Sequence, residues 1–289
     1  MNAERVNLAP GLYLVSVPIG TARDITLRAL DILASADVLA AEDTRSMRRL
    51  LEIHGIPLGE RPLVAYHDHN GARARPRLLA DMAAGRSVAY ASEAGTPMVS
   101  DPGFDLARAA REEGHAVTAA PGASAVVTAL TLAGLPTDRF LFAGFLPNAK
   151  GQRISALKEL SATPATLAFY ESPKRVAAML RDAAEVLGPD RPAAVCRELT
   201  KRFEEIRTGS LADLAAGAES DPPRGEIVVV VGRGDSGSVS ESEIETALRE
   251  ALEGNSVRDA ADMVATGLGV PRRPVYQLAL ELSKEGDKR

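Results

Sequence analysis

The chain has 289 residues, 45% of them hydrophobic and 25% charged, enough for about two domains that each bury a core. Its 34 basic and 39 acidic residues leave a formal charge of −5, which excludes a protein that coats nucleic acid with its whole surface but leaves local basic patches open. The single cysteine, Cys196, excludes an internal disulfide and a cysteine-based zinc site.

The N-terminal stretch carries Glu4 and Arg5, and Pro10 and Pro18 interrupt its first apolar run, so a signal peptide is not expected. No apolar run approaches the roughly 18 residues of a spanning helix, and a cytoplasmic protein without membrane contact is expected. Residues 12–17 read as a strand that ends at Pro18-Ile19-Gly20. Asp24 is then placed to cap a helix carrying Ile25, Leu27, Leu30, Ile32 and Leu33. Strands at 37–41 and 63–66 are each followed by a basic helix, 47–53 and 73–84. Strands at 87–91 and 115–120 precede helices at 104–113 and 124–133, and the alternation predicts a parallel sheet covered on both faces. Gly134 and Pro136 mark a domain boundary. A second α/β set follows, with strands at 140–145, 165–170, 193–198, 204–208 and 227–231 and helices at 151–160, 173–186 and 210–216. Residues 232–240 are Gly/Ser-rich and read as a linker to three helices at 241–252, 257–266 and 272–283. Ser256 and Asp259 fit a capping box for the second of these.

Two loops carry the most chemical information, Ala91-Ser92-Glu93-Ala94-Gly95-Thr96-Pro97 and Pro121-Gly122-Ala123-Ser124-Ala125. Each follows a strand and opens a helix, where an open α/β sheet places its ligand crevice. Glycine lets backbone approach a ligand, and proline fixes chain direction. Neither G-x-G-x-x-G nor G-x-x-x-x-G-K-[ST] is present, which counts against dinucleotide and P-loop enzymes. Proline-interrupted loops suit a neutral or zwitterionic ligand better than a phosphate.

In order along the chain stand LYLVSVPIG, DITLRAL, AAEDTR, SEAGTPMVSDPG, PGASAV, LPTDRFLFAGFLP, FYESPKR and GEIVVVVG. Together these runs resemble the tetrapyrrole-methylase superfamily and, within it, the group that methylates ribosomal RNA of the small subunit. The similarity covers residues 12–232, and residues 257–282 resemble that group's C-terminal extension. The resemblance implies an α/β protein of two domains, 1–134 and 135–234, with a cofactor cleft between them and a helical extension at 235–289. It implies a homodimer that binds S-adenosylmethionine and methylates the 2′-hydroxyl of a cytidine ribose in the decoding region of small-subunit ribosomal RNA. By resemblance Pro18 lies in the first cofactor loop, and Gly95, Thr96, Pro97, Met98 and Asp101 surround the methionine end. Pro121, Gly122 and Ser124 match a second cofactor loop. Phe169, Tyr170 and Glu171 match a strand end near the adenosine, and Thr200 with Gly225 and Glu226 the loops that close the adenine pocket. The group usually carries aspartate at Glu93, asparagine at Thr21 and histidine at Ser46 and Lys174, which leaves open which side chains touch RNA or take part in chemistry.

A ribose hydroxyl is a weak acid and benefits from a base in the transition state. Glu42, Asp43, His67 and Asp101 stand at strand ends, and Glu42-Asp43 with Arg45 is the favoured set: Arg45 would hold a phosphate while a carboxylate takes the proton. The structural alternative is that Asp43 or Thr44 caps the following helix and Arg45 pairs with it. Arg45, Arg48, Arg49, Arg73, Arg75 and Arg77 form two basic clusters suited to an RNA backbone, with His67 and Asn70 as further contacts. Two histidines two apart without a third ligand make a weak metal signal, and no metal is expected. A tetrapyrrole C-methyltransferase, or a non-enzymatic nucleic-acid-binding protein using the C-terminal helices, remain the alternatives.

Overall fold

The computed structural model describes residues 3–67, 69–98, 103–234, 241–268 and 270–286. The chain divides into two compact units, one of residues up to Gly232 and one from Arg233 onward, to which the segment Ala162–Pro164 is also assigned.

The first unit begins with β1 (Gly11–Val15), α1 (Leu27–Ser35), β2 (Val38–Ala41), α2 (Thr44–Ile53), β3 (Leu63–Ala65), α3 (Gly71–Ala83), β4 (Ser87–Ala91), α4 (Phe104–Glu112), β5 (Val117–Ala120) and α5 (Ala125–Leu132). The strands form a parallel sheet in the order β3-β2-β4-β1-β5. β2 and β4 are buried throughout, because helices cover both faces. Val15, Leu39, Ala41 and Ala89 meet Leu30 and Leu33 of α1 and Met47 and Leu51 of α2. Leu12, Val38, Val88 and Tyr90 meet Leu78 and Met82 of α3 and Leu106 of α4. Helix α1 is capped by Thr26 rather than the expected Asp24; the Thr26 hydroxyl accepts the Ala29 N–H at 3.1 Å, and Asp24 is instead held in a turn by the Thr21 carbonyl.

The unit continues with β6 (Phe140–Phe145), α6 (Lys150–Ser161), β7 (Thr166–Glu171), α7 (Val176–Leu187), β8 (Pro192–Arg197), β9 (Glu205–Ser210), α8 (Leu211–Ser220) and β10 (Ile227–Val231). This second sheet is mixed: in the order β6-β7-β10-β8-β9 the β6–β7 pair is parallel and the other three pairs of neighbours are antiparallel. Alternation splits its strands between two cores. Leu167, Phe169, Val195 and Val229 face α6, α7 and α8. Ala168, Cys196, Val228 and Val230 face Val126, Ala129 and Leu130 of α5, so a helix of the first half covers the second sheet. Burial there, with the charge of Glu204, pushes the Cys196 thiol up to about 11, which leaves it chemically quiet at neutral pH.

The second unit holds α9 (Glu241–Leu252), α10 (Val257–Leu268) and α11 (Arg272–Gly286). They close on a core of Leu248, Ala261, Val264, Val275, Ala279 and Leu282, the last three on one face of α11. Ser256 caps α10, accepting the Asp259 N–H at 3.2 Å. Arg272 is taken up within the unit, bonded to Asp262 and lying over the Tyr276 ring at 5.5 Å. No helix among the described residues is long and apolar enough to cross a membrane.

Candidate active site

The loops leaving the carboxyl ends of β1, β4 and β5 are tied to one another by hydrogen bonds. Val17 and Gly95 exchange backbone bonds of 2.9 and 3.1 Å. The Thr96 hydroxyl donates to the Ala123 carbonyl at 2.8 Å and accepts from the Ser16 hydroxyl at 3.2 Å. Gly95 has φ +73°, which costs a side-chain-bearing residue about 1–2 kcal/mol, and a Cβ there would sit 3.2 Å from Ile19. Gly122 approaches so closely that a Cβ would lie 2.8 Å from that of Ser16.

A second clasp joins the β1 loop to the second sheet. The Thr21 N–H donates to the Thr200 hydroxyl at 3.1 Å, and the Thr21 hydroxyl donates to the Thr200 carbonyl. A Cβ on Gly20 would fall 2.6 Å from Thr200 Oγ1 and 2.5 Å from Lys201 Cγ. The β8–β9 loop holds left-handed backbone at Glu198 (φ +51°) and Thr200 (φ +63°), strain that its surroundings over-determine. Glu204 accepts the Thr200 N–H at 2.6 Å, and Glu198 accepts the Glu226 N–H at 3.0 Å and the Lys201 ammonium at 3.1 Å. The Glu226 N–H bond, aided by Lys201, holds the Glu198 carboxyl below the usual glutamate range. Gly225, at φ +83°, lies where a Cβ would collide with the Glu198 carboxylate at 2.2 Å.

These loops enclose a cavity of about 340 Å³. From the first sheet it is lined by Ile19, Glu42, residues 93–96, Ser124 and Ala125. From the second come Phe145, Tyr170, Glu171, Leu199, Glu226, Ile227 and Val228. Tyr170 stacks edge-on with Phe142 and Phe145 at 4.8 and 5.6 Å, and burial, with the charge of Glu226, raises its phenol above the usual range. The buried Glu171 accepts the Ser172 N–H at 2.7 Å and pairs with Arg175 at 3.2 Å. That contact is an ion pair rather than a well-aligned hydrogen bond, since Glu171 Oε2 has no hydrogen-bond partner. Ser124 begins α5 without using its hydroxyl as a cap, which leaves that group on the cavity wall. The walls thus offer an apolar slot, backbone groups at the left-handed Gly95, and four carboxylates, of which Glu171 is paired with Arg175 at 3.2 Å and Glu226 with Lys201 at 2.9 Å. That set, with Glu42 and Glu93 adding negative charge, attracts cations and repels phosphates. It fits a ligand with an aromatic base, an amino-acid tail and a net positive centre, in a volume within the range of small-molecule sites.

Of the residues expected at a cofactor site, Gly95, Thr96, Ser124, Tyr170 and Glu171 line this cavity. Pro18 lines the adjoining groove, Pro97 is buried in its loop, and Met98, at φ +72°, is exposed. Pro121 and Gly122 shape the β5 loop from outside the cavity, while Thr200 builds the clasp and Gly225 packs against the Glu198 carboxylate. Phe169 turns to the opposite face of β7 and is fully buried in the core there. Asp101 lies outside the described residues. Ile19, Phe145, Leu199 and Val228 were not singled out in the sequence; the rule that found the first-sheet loops, strand ends beside proline or glycine, applies to Phe145 before Leu146-Pro147.

Among the expected catalytic residues, Glu42 reaches the cavity and accepts the Glu93 N–H at 3.0 Å. Asp43 is the N-cap of α2, accepting the Arg45 N–H at 2.7 Å, which is the structural alternative for that carboxylate. Arg45, Arg48 and Arg49 are exposed on α2, and Arg49 lines a shallower groove of about 200 Å³ with Pro18, Gly20, Ser46 and Ser92. Glu93 lines both spaces and so stands between them. Arg73 and Arg77 are exposed on α3, while Arg75 is drawn to Asp105 at 3.1 Å and to the Tyr66 hydroxyl. The Asn70 side chain is engaged within its own turn, accepting the His67 N–H at 2.8 Å and donating to the Ala65 carbonyl at 3.0 Å. The His67 ring is half-buried beside that of His69 at 6.0 Å. Among the described residues no group of three or more His, Cys, Asp or Glu side chains is placed to hold a metal.

Residues 11–215 match the family model of the tetrapyrrole (corrin/porphyrin) methylases, and residues 238–283 that of the RsmI C-terminal HTH domain. The ribosomal RNA small subunit methyltransferase I of Mesorhizobium japonicum is 49% identical over 284 residues, 97% of this chain and 96% of that one. Its namesake from Halalkalibacterium halodurans is 42% identical over 92% of this chain and 93% of its own. The crystal structure of uroporphyrin-III C-methyl transferase from Thermus thermophilus with S-adenosyl homocysteine superposes on 77% of this chain and 97% of its own, with a TM-score of 0.54 at 20% identity. By the length and level of these matches, the chain belongs to the tetrapyrrole methylase family and, within it, to the ribosomal RNA small subunit methyltransferase I group.

Proposed function

We propose that the protein uses S-adenosylmethionine to methylate small-subunit ribosomal RNA, at the 2′-hydroxyl of a cytidine ribose in the decoding region. The observation that carries this reading is the cavity itself, a carboxylate-lined slot between cross-tied strand-end loops in a chain of this family. Bound there, the cofactor supplies a methyl group already activated on a sulfonium. The chain's own residues then have three tasks. The glycine-rich loops and the clasp hold the donor against the first sheet and keep water from the apolar wall of Ile19, Leu199 and Val228. Glu42 stands at the cavity to accept the proton of an incoming hydroxyl. Arg49, which lines the groove shared with Glu93, and Arg45, exposed one helical turn before it on α2, hold the sugar–phosphate backbone. Alignment of the two reactants is the larger contribution, worth on the order of 7–11 kcal/mol in well-oriented systems.

Calorimetric titration with S-adenosylmethionine should show saturable binding of one ligand per chain, and purified small subunits should gain one ribose methyl, read by mass spectrometry of the digested RNA. An Arg45→Ala variant should keep cofactor binding and lose much of the transfer to RNA. Equal loss of both would make Arg45 structural, and absence of cofactor binding with or without RNA would sink the reading.

The protein acts in this reading as a homodimer in the cytoplasm. Exposed apolar side chains, Phe140 on the edge strand β6 and Val127 and Leu132 on α5, support a second copy as the covering partner. Sedimentation at twice the chain mass is the expected result, and a monomer at micromolar concentration would refute it.

A further inference from the structure

The cofactor cavity occupies only part of the second sheet's edge. Glu171 and Glu226 face that cavity, while Pro173, Lys174 and Gly225, close to them in the chain, open onto a neighbouring groove of about 700 Å³. Glu198, bonded to the Glu226 N–H, forms part of its wall.

The groove is basic. Lys174, Arg197, Arg207 and Arg224 line it against two carboxylates, Glu198 and Asp221. Arg197 and Arg207 are fixed by a shared carboxylate, Glu205, at 2.5 and 3.0 Å, and Asp221 holds Arg207 at 2.6 Å. Lys174 and Arg224 stand exposed with no ion-pair partner among the described residues. On the same wall Phe203 is 61% exposed, with the Arg202 guanidinium 5.4 Å from its ring centre. Pro222 adds an exposed, rigid apolar surface, backed by the buried Pro223. An aromatic ring held in water among cations is the arrangement that binds single-stranded nucleic acid, with phosphates on the cations and a base on the ring.

We propose that this groove docks a single-stranded segment of the ribosomal RNA flanking the target nucleotide, its phosphates on Lys174 and Arg224 and one base on Phe203. The proposal rests on the function proposed above and extends it, because the groove lies next to the cavity in which the target ribose would react. It is distinct from the basic faces of α2 and α3, which belong to the first sheet.

The test uses the full chain saturated with S-adenosylhomocysteine and a fluorescein-labelled oligoribonucleotide of the decoding-region sequence, read by anisotropy over a range of salt. Phe203→Ala should weaken binding on the order of tenfold. The double variant Lys174→Ala/Arg224→Ala should lower the slope of log affinity against log salt by about 1.4, the release expected for two single-strand phosphate contacts. Both variants should retain wild-type affinity for S-adenosylhomocysteine in calorimetry, which also reports that they fold. Unchanged RNA affinity and slope in both variants, with wild-type protein that methylates subunits, would overturn the groove and leave the proposed function standing. Variants that bind the oligonucleotide normally but fail on whole subunits would assign the groove to a protein partner and equally overturn RNA docking. Wild-type protein that binds S-adenosylhomocysteine yet neither binds nor methylates RNA would remove the function and the groove together.

Discussion

Glu42→Gln is expected to lower kcat for methyl transfer to small-subunit RNA by a factor on the order of 10²–10⁴, the range for losing a positioned general base. Its affinity for S-adenosylhomocysteine should change little. The position of Glu42 is set by backbone on two sides. Its N–H donates to the Ala91 carbonyl at 3.2 Å, which carries the β2–β4 pairing one residue past the strands. Its carboxylate accepts the Glu93 N–H at 3.0 Å, so the side chain is tied to the loop that lines the cavity. Glutamine keeps the volume and can accept the same N–H, but it cannot take a proton. Single-turnover rates with saturating subunit, beside calorimetry with S-adenosylhomocysteine, separate the two roles. A large loss of cofactor affinity with the rate retained would make Glu42 a counter-charge for the bound cation instead. No change in either would leave the reaction without a base at this position. Glu93→Gln serves as a comparison, since Glu93 lines the same cavity but is exposed at the boundary with the outer groove.

What the sequence made legible follows from which forces are local. The parallel half could be read from Val38–Ala41 and Ser87–Ala91, because strands buried on both faces are almost wholly apolar, and the second of them runs into the Gly95-Thr96-Pro97 loop. Thr96, Gly95 and Ser124 were found for the same reason. The second sheet was harder. Its mixed order depends on β10 inserting between β7 and β8, a long-range pairing that no local run of residues announces. The cavity walls contributed by Leu199, Val228 and Phe145 depend on that order. Phe169 and Tyr170 show the limit of motif reading. Both belong to one matched run, but adjacent residues on a strand face opposite ways, and Phe169 enters the α7 and α8 core. Asp43 shows a different limit, since a cap and a catalytic carboxylate have the same signature at a strand-to-helix junction, and only the 2.7 Å bond to the Arg45 N–H separates them. Neither could the sequence show that Thr200, a β-branched residue, would sit at φ +63°; its strain is held by Glu204 and by the clasp to Thr21.

That clasp gives the second large effect, on cofactor affinity. Gly20→Ala should weaken S-adenosylmethionine binding by about 2 kcal/mol, on the order of thirtyfold in Kd, from the loss of two hydrogen bonds. The added methyl would fall 2.6 Å from Thr200 Oγ1 and 3.0 Å from the Leu199 carbonyl. The first could clear the methyl only by turning away from the Thr21 N–H that it accepts, and the second is backbone, so no side-chain rotation relieves the clash and keeps the clasp. The β1 loop must move away, and the Thr21 bonds to Thr200 break with it. Ile19 and Leu199 adjoin Gly20 and Thr200 in the chain, line the cavity and share one buried cluster, so the same movement disturbs its apolar wall. Thermal stability should fall as well, because the clasp bonds are lost from the unliganded protein too, but Gly20 is exposed and both cores remain, so the variant should still fold. The control is Gly151→Ala in α6, where a Cβ meets nothing within 4 Å; helix propensity there favours alanine by about 1 kcal/mol, and cofactor affinity should not move. If Gly20→Ala bound the cofactor as the wild type does, the two walls would have to be joined by α5, whose Val126, Ala129 and Leu130 pack on the second sheet, and the clasp would be a consequence of that packing. Thr200→Val then decides between the two, since it removes one of the two clasp bonds, that from the Thr21 N–H, and leaves α5 untouched: a loss of affinity about half as large in free energy as that expected of Gly20→Ala assigns the joint to the clasp, and none assigns it to α5.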